Sequence, residues 1–223
     1  MIANSRKRIA EGFEKEWVLP DKFRSPKLTK RLKLIEACGK LSAPSFPTIH
    51  HLWLRDRLYQ KMPLLKKLDT SGVPAEKMKG LLMQLAHDIE CIHAMGLLHG
   101  DIHPKNILYT GVELKLIDFE PILELESNGV QYYCSTRPWI AHEDLKNKKL
   151  SFLTDRIGFT HTAMRLFKIR IPEFSVVNTY RNRRMYDHRI GGLISDELVK
   201  KRNCSQILEY IYETFLPVLN SNE

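Results

Sequence analysis

The sequence predicts an α+β fold in which a small mixed half precedes a larger, mainly helical half. Two observations carry this reading. The strand-like runs Thr48 to Leu54 and Arg57 to Met62 flank a plausible turn at Arg55-Asp56. A long helix-periodic stretch, Glu76 to Met95, then opens a second half whose pattern is mainly helical from about Glu143 onward.

The elements follow in order. Phe13 to Leu19 reads as a strand ended by Pro20, and the rest of the first 25 residues shows no regular pattern. From Lys27 to Leu41 the apolar positions Leu28, Leu32, Ile35 and Leu41 alternate with lysines, as on an amphipathic helix, with Gly39 near its end. After the paired strands, Pro63 to Pro74 reads as a connector. Leu81, Leu82, Leu85, Ile89 and Ile92 mark the buried stripe of the long helix, and Gly96 is placed to stop it. A loop rich in His, Asp and Asn comes next, then short apolar strands around Ile107-Leu108-Tyr109 and Leu114 to Ile117.

Composition fits an ordinary globular chain: 43% hydrophobic and 27% charged residues over 223 positions, enough for one domain or two joined lobes. No apolar run approaches the roughly 20 residues of a membrane crossing, and no apolar segment follows the basic start as a secretory signal would. Cys38, Cys91, Cys134 and Cys204 are widely spaced with no CxxC pair, which argues against a metal site or disulfide framework and favours a cytoplasmic location. The formal net charge of +9 is compatible with a polyanionic partner, yet a solvated basic surface explains it equally well. Nucleic-acid binding rests on that charge alone and ranks last.

The chemistry-bearing segment is His99-Gly100-Asp101-Ile102-His103-Pro104-Lys105-Asn106-Ile107-Leu108, followed by Leu116-Ile117-Asp118-Phe119-Glu120. Asn106 stands five residues after Asp101, and Asp118 twelve after Asn106. Either piece alone would also suit loop-capping residues. Their order behind a long helix argues against coincidence.

This pattern resembles the catalytic loop and metal-binding motif of the protein-kinase superfamily. The resemblance implies a bilobal protein-kinase-like fold with a reduced N-lobe sheet over residues 1–65, including the hinge, and a mainly helical C-lobe over residues 66–223. It implies ATP and Mg²⁺ as cofactors, with Asp101 orienting the attacking hydroxyl and Asn106 and Asp118 holding the metal. Trp139 to Leu145 resembles the kinase Ala-Pro-Glu segment, with His142 in place of proline. Asp155 falls where the fold keeps a buried aspartate that ties down the catalytic loop, and Arg202 where an arginine pairs with the segment's glutamate, here Glu143.

Departures from the pattern suggest a small, atypical, bacterial-type kinase. Gly100 replaces the arginine of many regulated protein kinases, and His103 replaces the usual phosphate-touching lysine. His-Gly-Asp-x-His-Pro is similar to aminoglycoside and choline phosphotransferases and to lanthionine-synthetase kinase domains, which also end the metal motif with an acid, as Glu120 does here. His103 is read as near the phosphate or as supporting the loop, and Lys105 as solvated. No GxGxxG is present, and too few residues precede Lys15 for a full glycine-rich hairpin, so an accessory protein could complete the site. Lys15-Glu16-Trp17-Val18 with Ile35-Glu36-Ala37 is faintly similar to the atypical kinase of the KEOPS complex. That similarity makes Lys15 the phosphate-gripping lysine and Glu36 its partner, with Lys22 the competitor. Met62, Pro63 and Leu65 would form the adenine hinge through the Pro63 carbonyl and the Leu65 amide. An ordinary interlobe linker fits those residues equally well. The expected activity is transfer to Ser/Thr hydroxyls on protein; the alternatives are a sugar or aminoglycoside-like acceptor, or a scaffold without turnover.

Overall fold

The computed structural model describes residues 3–9, 12–18, 25–39, 45–55, 57–65, 69–119, 144, 150–169, 194 and 196–220. The chain begins with an antiparallel hairpin of β1 (Ala3–Ile9) and β2 (Gly12–Val18), in register from Ala3 opposite Val18 to Ile9 opposite Gly12. β1 carries no alternating apolar pattern, so nothing in Ala3 to Ile9 announces a strand. It becomes one by pairing with β2.

Helix α1 (Pro26–Cys38) starts where Ser25 accepts a hydrogen bond from the Leu28 amide and Pro26 occupies the first turn. It buries Leu28, Leu32, Ile35 and Cys38, and it ends three residues short of the expected Leu41. At Gly39, the C-cap, the backbone runs so close to Pro47 and Thr48 that a Cβ would lie 2.7 Å from the Thr48 Cα, so only glycine fits there.

Strands β3 (His50–Leu54) and β4 (Arg57–Met62) form the expected hairpin, with Arg55 at φ 55° in its turn. β4 also pairs with β2, which gives a four-stranded antiparallel sheet of order β1-β2-β4-β3. Trp17, Leu58 and Ile49 bury side chains against the α1 stripe in one continuous core.

Helix α2 (Ala75–Ala94) buries Met78, Leu82, Leu85, Ala86, Ile89 and Ile92, with Leu81 packed at the margin. A single 3₁₀ turn (Pro104–Asn106) leads into the two-stranded sheet of β5 (Ile107–Tyr109) and β6 (Leu114–Leu116). α3 (Phe152–Leu166), α4 (Asp196–Lys201) and α5 (Cys204–Asn220) complete the described elements, and α5 packs on both α2 and α3. No described helix is long and apolar enough to cross a membrane. The described cysteines, Cys38, Cys91 and Cys204, are free thiols.

The two halves are joined at residues 45–46. The Ser45 amide donates to the buried Asp88 carboxylate of α2 (2.9 Å), the Ser45 carbonyl accepts from the Leu116 amide (2.7 Å), and Phe46 packs against Phe119 at 5.4 Å. Asp88 sits among the apolar positions of α2, where a carboxylate is tolerated only if hydrogen-bonded; Gln84 supplies a further donor at 2.9 Å.

α3 approaches the loop after α2 so closely that a Cβ on Gly158 would lie 2.3 Å from the Ile102 carbonyl oxygen. Gly158→Ala must therefore push the loop off α3. A loss of about 1–3 kcal/mol is expected, the usual range for overpacking, read as a lower urea midpoint with an unchanged slope.

Candidate active site

The loop after α2 is held by one carboxylate. Asp155, in the first turn of α3, is fully buried and accepts from the His99 amide (2.7 Å) and the Gly100 amide (2.8 Å). His93, on the last turn of α2, brings Nε2 to 3.0 Å from the same carboxylate and stacks on Phe152. Burial pushes the Asp155 pKa up, but the His93 hydrogen bond, the two imidazoles and the Gly100 amide outweigh it, leaving it below its ordinary value. Gly100 adopts φ 87°, a left-handed conformation natural to glycine, and so aims its N–H at Asp155.

His99 then links the loop to the strand beyond it. Burial pushes its pKa from 6.5 to about 4, so the ring is neutral and carries one N–H. Nδ1 accepts from the Asp101 amide (3.2 Å), which leaves Nε2–H to donate to the Ile117 carbonyl (3.1 Å). Its ring packs against Phe119 at 4.5 Å.

Asp101 is buried, with Oδ2 accepting from Asn106 Nδ2 at 2.9 Å; the same amide nitrogen donates to the Asp101 carbonyl at 3.0 Å. The Asn106 amide nitrogen is thereby occupied, and its oxygen is the atom left to act as a ligand. Asn106 also accepts from the Ile117 amide through its backbone carbonyl (2.9 Å), which brings residue 118 beside it. His103 accepts from the Lys105 amide through Nδ1, heading the 3₁₀ turn, and sets Nε2 3.5 Å from Asp101 Oδ2. That separation is an electrostatic approach, too long for a strong hydrogen bond. Lys105 is exposed.

Asp118 follows β6 at φ 68°, a conformation uncommon outside glycine and concentrated at functional sites. Its Oδ1 lies 2.7 Å from the ammonium of Lys15, which reaches it from β2 in the other half of the fold, 103 positions away in sequence. Lys15 is almost fully buried and stands 4.6 Å from the Trp17 ring centre. Lys15, Asp101, Asn106 and Asp118 thus belong to one connected cluster.

Glu36 takes a different partner from the expected one. Its carboxylate accepts from the His51 amide (2.7 Å) and meets His51 Nδ1 (3.2 Å), while Lys15 pairs with Asp118. The physical reason is register: His51 on β3 faces α1, and Lys15 lies two strands further across the sheet. Met62 ends β4 half-buried, followed by exposed Pro63 and half-buried Leu65.

Three contacts have no local sequence signal or only a faint one. Arg31 of α1 donates to the Leu98 carbonyl at 2.8 Å, tying that helix to the loop, yet in sequence it is one more cation on a lysine-rich helix. Asp88 was detectable as an acid on the apolar stripe of α2. Asp144 accepts from the Ser151 amide (2.8 Å) and from the Thr154 hydroxyl (2.5 Å). Lys22, Glu120, Trp139, His142 and Glu143 lie outside the described residues; Arg202 stands 4.9 Å from the Tyr210 ring centre.

The donor set suits magnesium. An amide oxygen and a carboxylate are hard ligands, and no cluster of three His, Cys, Asp or Glu side chains able to cage a metal occurs among the described residues. Magnesium bound with nucleotide asks for that combination, with phosphates and water supplying the remaining oxygens.

Residues 11–207 match the protein kinase domain, and the chain belongs to that family. It is 30% identical over 133 residues to a probable serine/threonine-protein kinase of Dictyostelium discoideum, covering 56% of this chain and 26% of that protein. It is 26% identical over 155 residues to the serine/threonine-protein kinase cds1 of Schizosaccharomyces pombe, covering 68% of this chain and 31% of that one. The chain therefore spans between about a quarter and a third of these relatives' length. Its fold is that of the Mycobacterium tuberculosis PknI kinase domain (TM-score 0.55, 18% identity, 91% of this chain and 85% of that one). Rad53 residues 1–466 in complex with AMP-PNP is similar as well (TM-score 0.59, 16% identity, 95% and 65%).

Buried neutral His99 makes stability pH-dependent. Between pH 6.5 and about 4 the unfolded imidazole takes up a proton that the folded one refuses, so acidification favours unfolding. His51, pushed to about 4 chiefly by burial, acts in the same direction. Stability should be complete above about pH 6.5, with about 2 kcal/mol lost to His99 alone by pH 5. Urea midpoints at pH 7 and pH 5 measure this, and equal midpoints would contradict it.

Proposed function

We propose that this chain is a Mg·ATP-dependent protein kinase domain that phosphorylates Ser or Thr hydroxyls on protein. The observation that carries the reading is the cross-fold contact of Lys15 with Asp118, beside an Asp101 locked by Asn106. Phosphoryl transfer asks a protein chiefly to position groups and stabilise charge, and these four side chains do both. Residues 1–65 act as the nucleotide-covering half and residues 66–223 as the half that carries the loop. The relatives named serine/threonine-protein kinases support a protein acceptor.

The bound magnesium nucleotide supplies the phosphoryl group and its leaving group. Asp101, fixed by the Asn106 amide, orients the acceptor hydroxyl and takes its proton. The Asn106 oxygen and the Asp118 carboxylate would hold the ion, and Lys15 would grip the phosphates with Glu36 as its alternative counter-charge. The Pro63 carbonyl and the Leu65 amide, next to Met62, are the hinge groups for adenine. His103, with Nε2 facing Asp101, offers a donor beside the transferred phosphate. That same imidazole favours a second reading, a small-molecule hydroxyl acceptor of the aminoglycoside-phosphotransferase type.

Radiolabelled ATP with Mg²⁺ tests both readings. Asp101→Asn and Asp118→Asn should each reduce transfer by about 10²–10⁴-fold with the fold retained. Label on phosphoserine or phosphothreonine supports the first reading, and label on added sugars or aminoglycosides the second. Transfer that survives both substitutions would sink the site assignment, and nucleotide binding without transfer would identify a scaffold.

A further inference from the structure

α3 runs alongside the loop after α2, and its residues meet that loop in order. Asp155 receives the His99 and Gly100 amides, and Gly158 lies against the Ile102 carbonyl. His161 comes within electrostatic reach of His103, whose Nε2 stands 3.5 Å from Asp101. Gly158, His161 and Arg165 are spaced three and four positions apart, so they share one face of the helix. Arg165 is thus the next side chain on this stripe, one turn past His161, and it is exposed. The 3₁₀ turn that packs on α3 presents a second exposed cation, Lys105.

The stripe carries positive charge without an acid of its own. Asp155 is the one acidic residue of α3, and its carboxylate is taken up by His93 and the two loop amides. The turn Pro104–Asn106 contains none. Burial, the largest influence on His161, brings its pKa to about 4, and Arg165 and His103 press in the same direction. His161 is therefore a neutral ring at physiological pH, set between the loop and an exposed guanidinium. Neither Lys105 nor Arg165 has a part in the transfer chemistry carried by Lys15, Asp101, Asn106 and Asp118.

We propose that Lys105 and Arg165 are specificity-determining residues that read an Asp or Glu side chain two to four positions from the acceptor Ser or Thr. This rests on the protein-acceptor reading above. Gly158 and Arg165 lie two turns apart on α3, about 10.5 Å along its axis. Gly158 marks the level of Ile102, the neighbour of Asp101, so Arg165 stands about that far from the attacking hydroxyl. An extended peptide advances about 3.3 Å per residue, so about three residues span the gap, and the reach of the arginine widens this to two to four. A guanidinium binds a carboxylate through two parallel hydrogen bonds, while Lys105 adds a second charge with looser geometry. A basic residue at the same place would face like charge and be refused.

Radiolabelled Mg·ATP and a positional library of Ser and Thr peptides test this on the full chain. The library fixes Glu, Gln or Lys in turn at each position flanking the acceptor. Glu two to four residues away should raise kcat/KM by about 3–10-fold over Gln, chiefly through a lower KM, and Lys should lower it. Arg165→Gln should remove most of the Glu preference. The double variant Lys105→Glu with Arg165→Glu should invert it, so that Lys is preferred to Glu at the same position. That inversion is a gain of activity on one peptide, which misfolding does not produce.

A wild type that labels Glu, Gln and Lys peptides equally, or that prefers Lys, overturns the proposal and leaves the kinase reading in place. A Glu preference that survives in the double variant also overturns it, because other residues would then read the acid. If the wild type labels no peptide of any composition, the protein-acceptor reading fails and this proposal fails with it.

Discussion

A carboxylate with no access to water survives only where donors surround it, and Asp155 is such a group. Two backbone amides and one imidazole converge on it. Those contacts fix the path of His99 and Gly100, and with it the direction in which Asp101 leaves the loop. Replacing the donors by solvent would leave the loop free to choose other conformations, and every distance in the cluster follows from this one. The close approach of Gly158 to Ile102 exists for the same purpose: α3 must come near enough to place Asp155 under the loop.

From that anchor the order propagates by backbone hydrogen bonds. His99 reaches the Ile117 carbonyl, Asn106 takes the Ile117 amide, and Asp118 follows in a left-handed conformation. Few flexible side chains intervene, which is how a short loop holds groups to the tolerance that phosphoryl transfer needs. Lys15 closes the arrangement from the other half of the fold. Its charge is balanced by Asp118, and the pair ties the four-stranded sheet to the loop, beside the Ser45 contact that ties the segment before β3 to Asp88 of α2.

The cross-strand row Lys15-Gln60-His51 puts polar side chains on the buried face of the sheet. Most inner positions of β2, β3 and β4 are filled by apolar side chains such as Trp17 and Leu58, where packing alone decides the geometry. In the row, hydrogen-bond direction decides it. Glu36 lies within reach of that row because α1 rests on β3, and α1 is itself tied to the loop through Arg31 and the Leu98 carbonyl. Helix, sheet and loop therefore share one set of charges.

Local sequence determined a good deal of this. The Asp101, Asn106 and Asp118 spacing, the β3–β4 hairpin and the stripes of α1 and α2 all depend on neighbours within a few turns of chain, where side-chain period and turn chemistry speak directly. The role of Asp155 was legible because it falls at a helix start in the order the family resemblance requires. Tertiary structure alone decided the partner of Lys15, the partner of Glu36 and the existence of β1. Each depends on which strand lies beside which, a matter of hydrogen-bond pairing between segments distant in the chain, and no local pattern of residues encodes it.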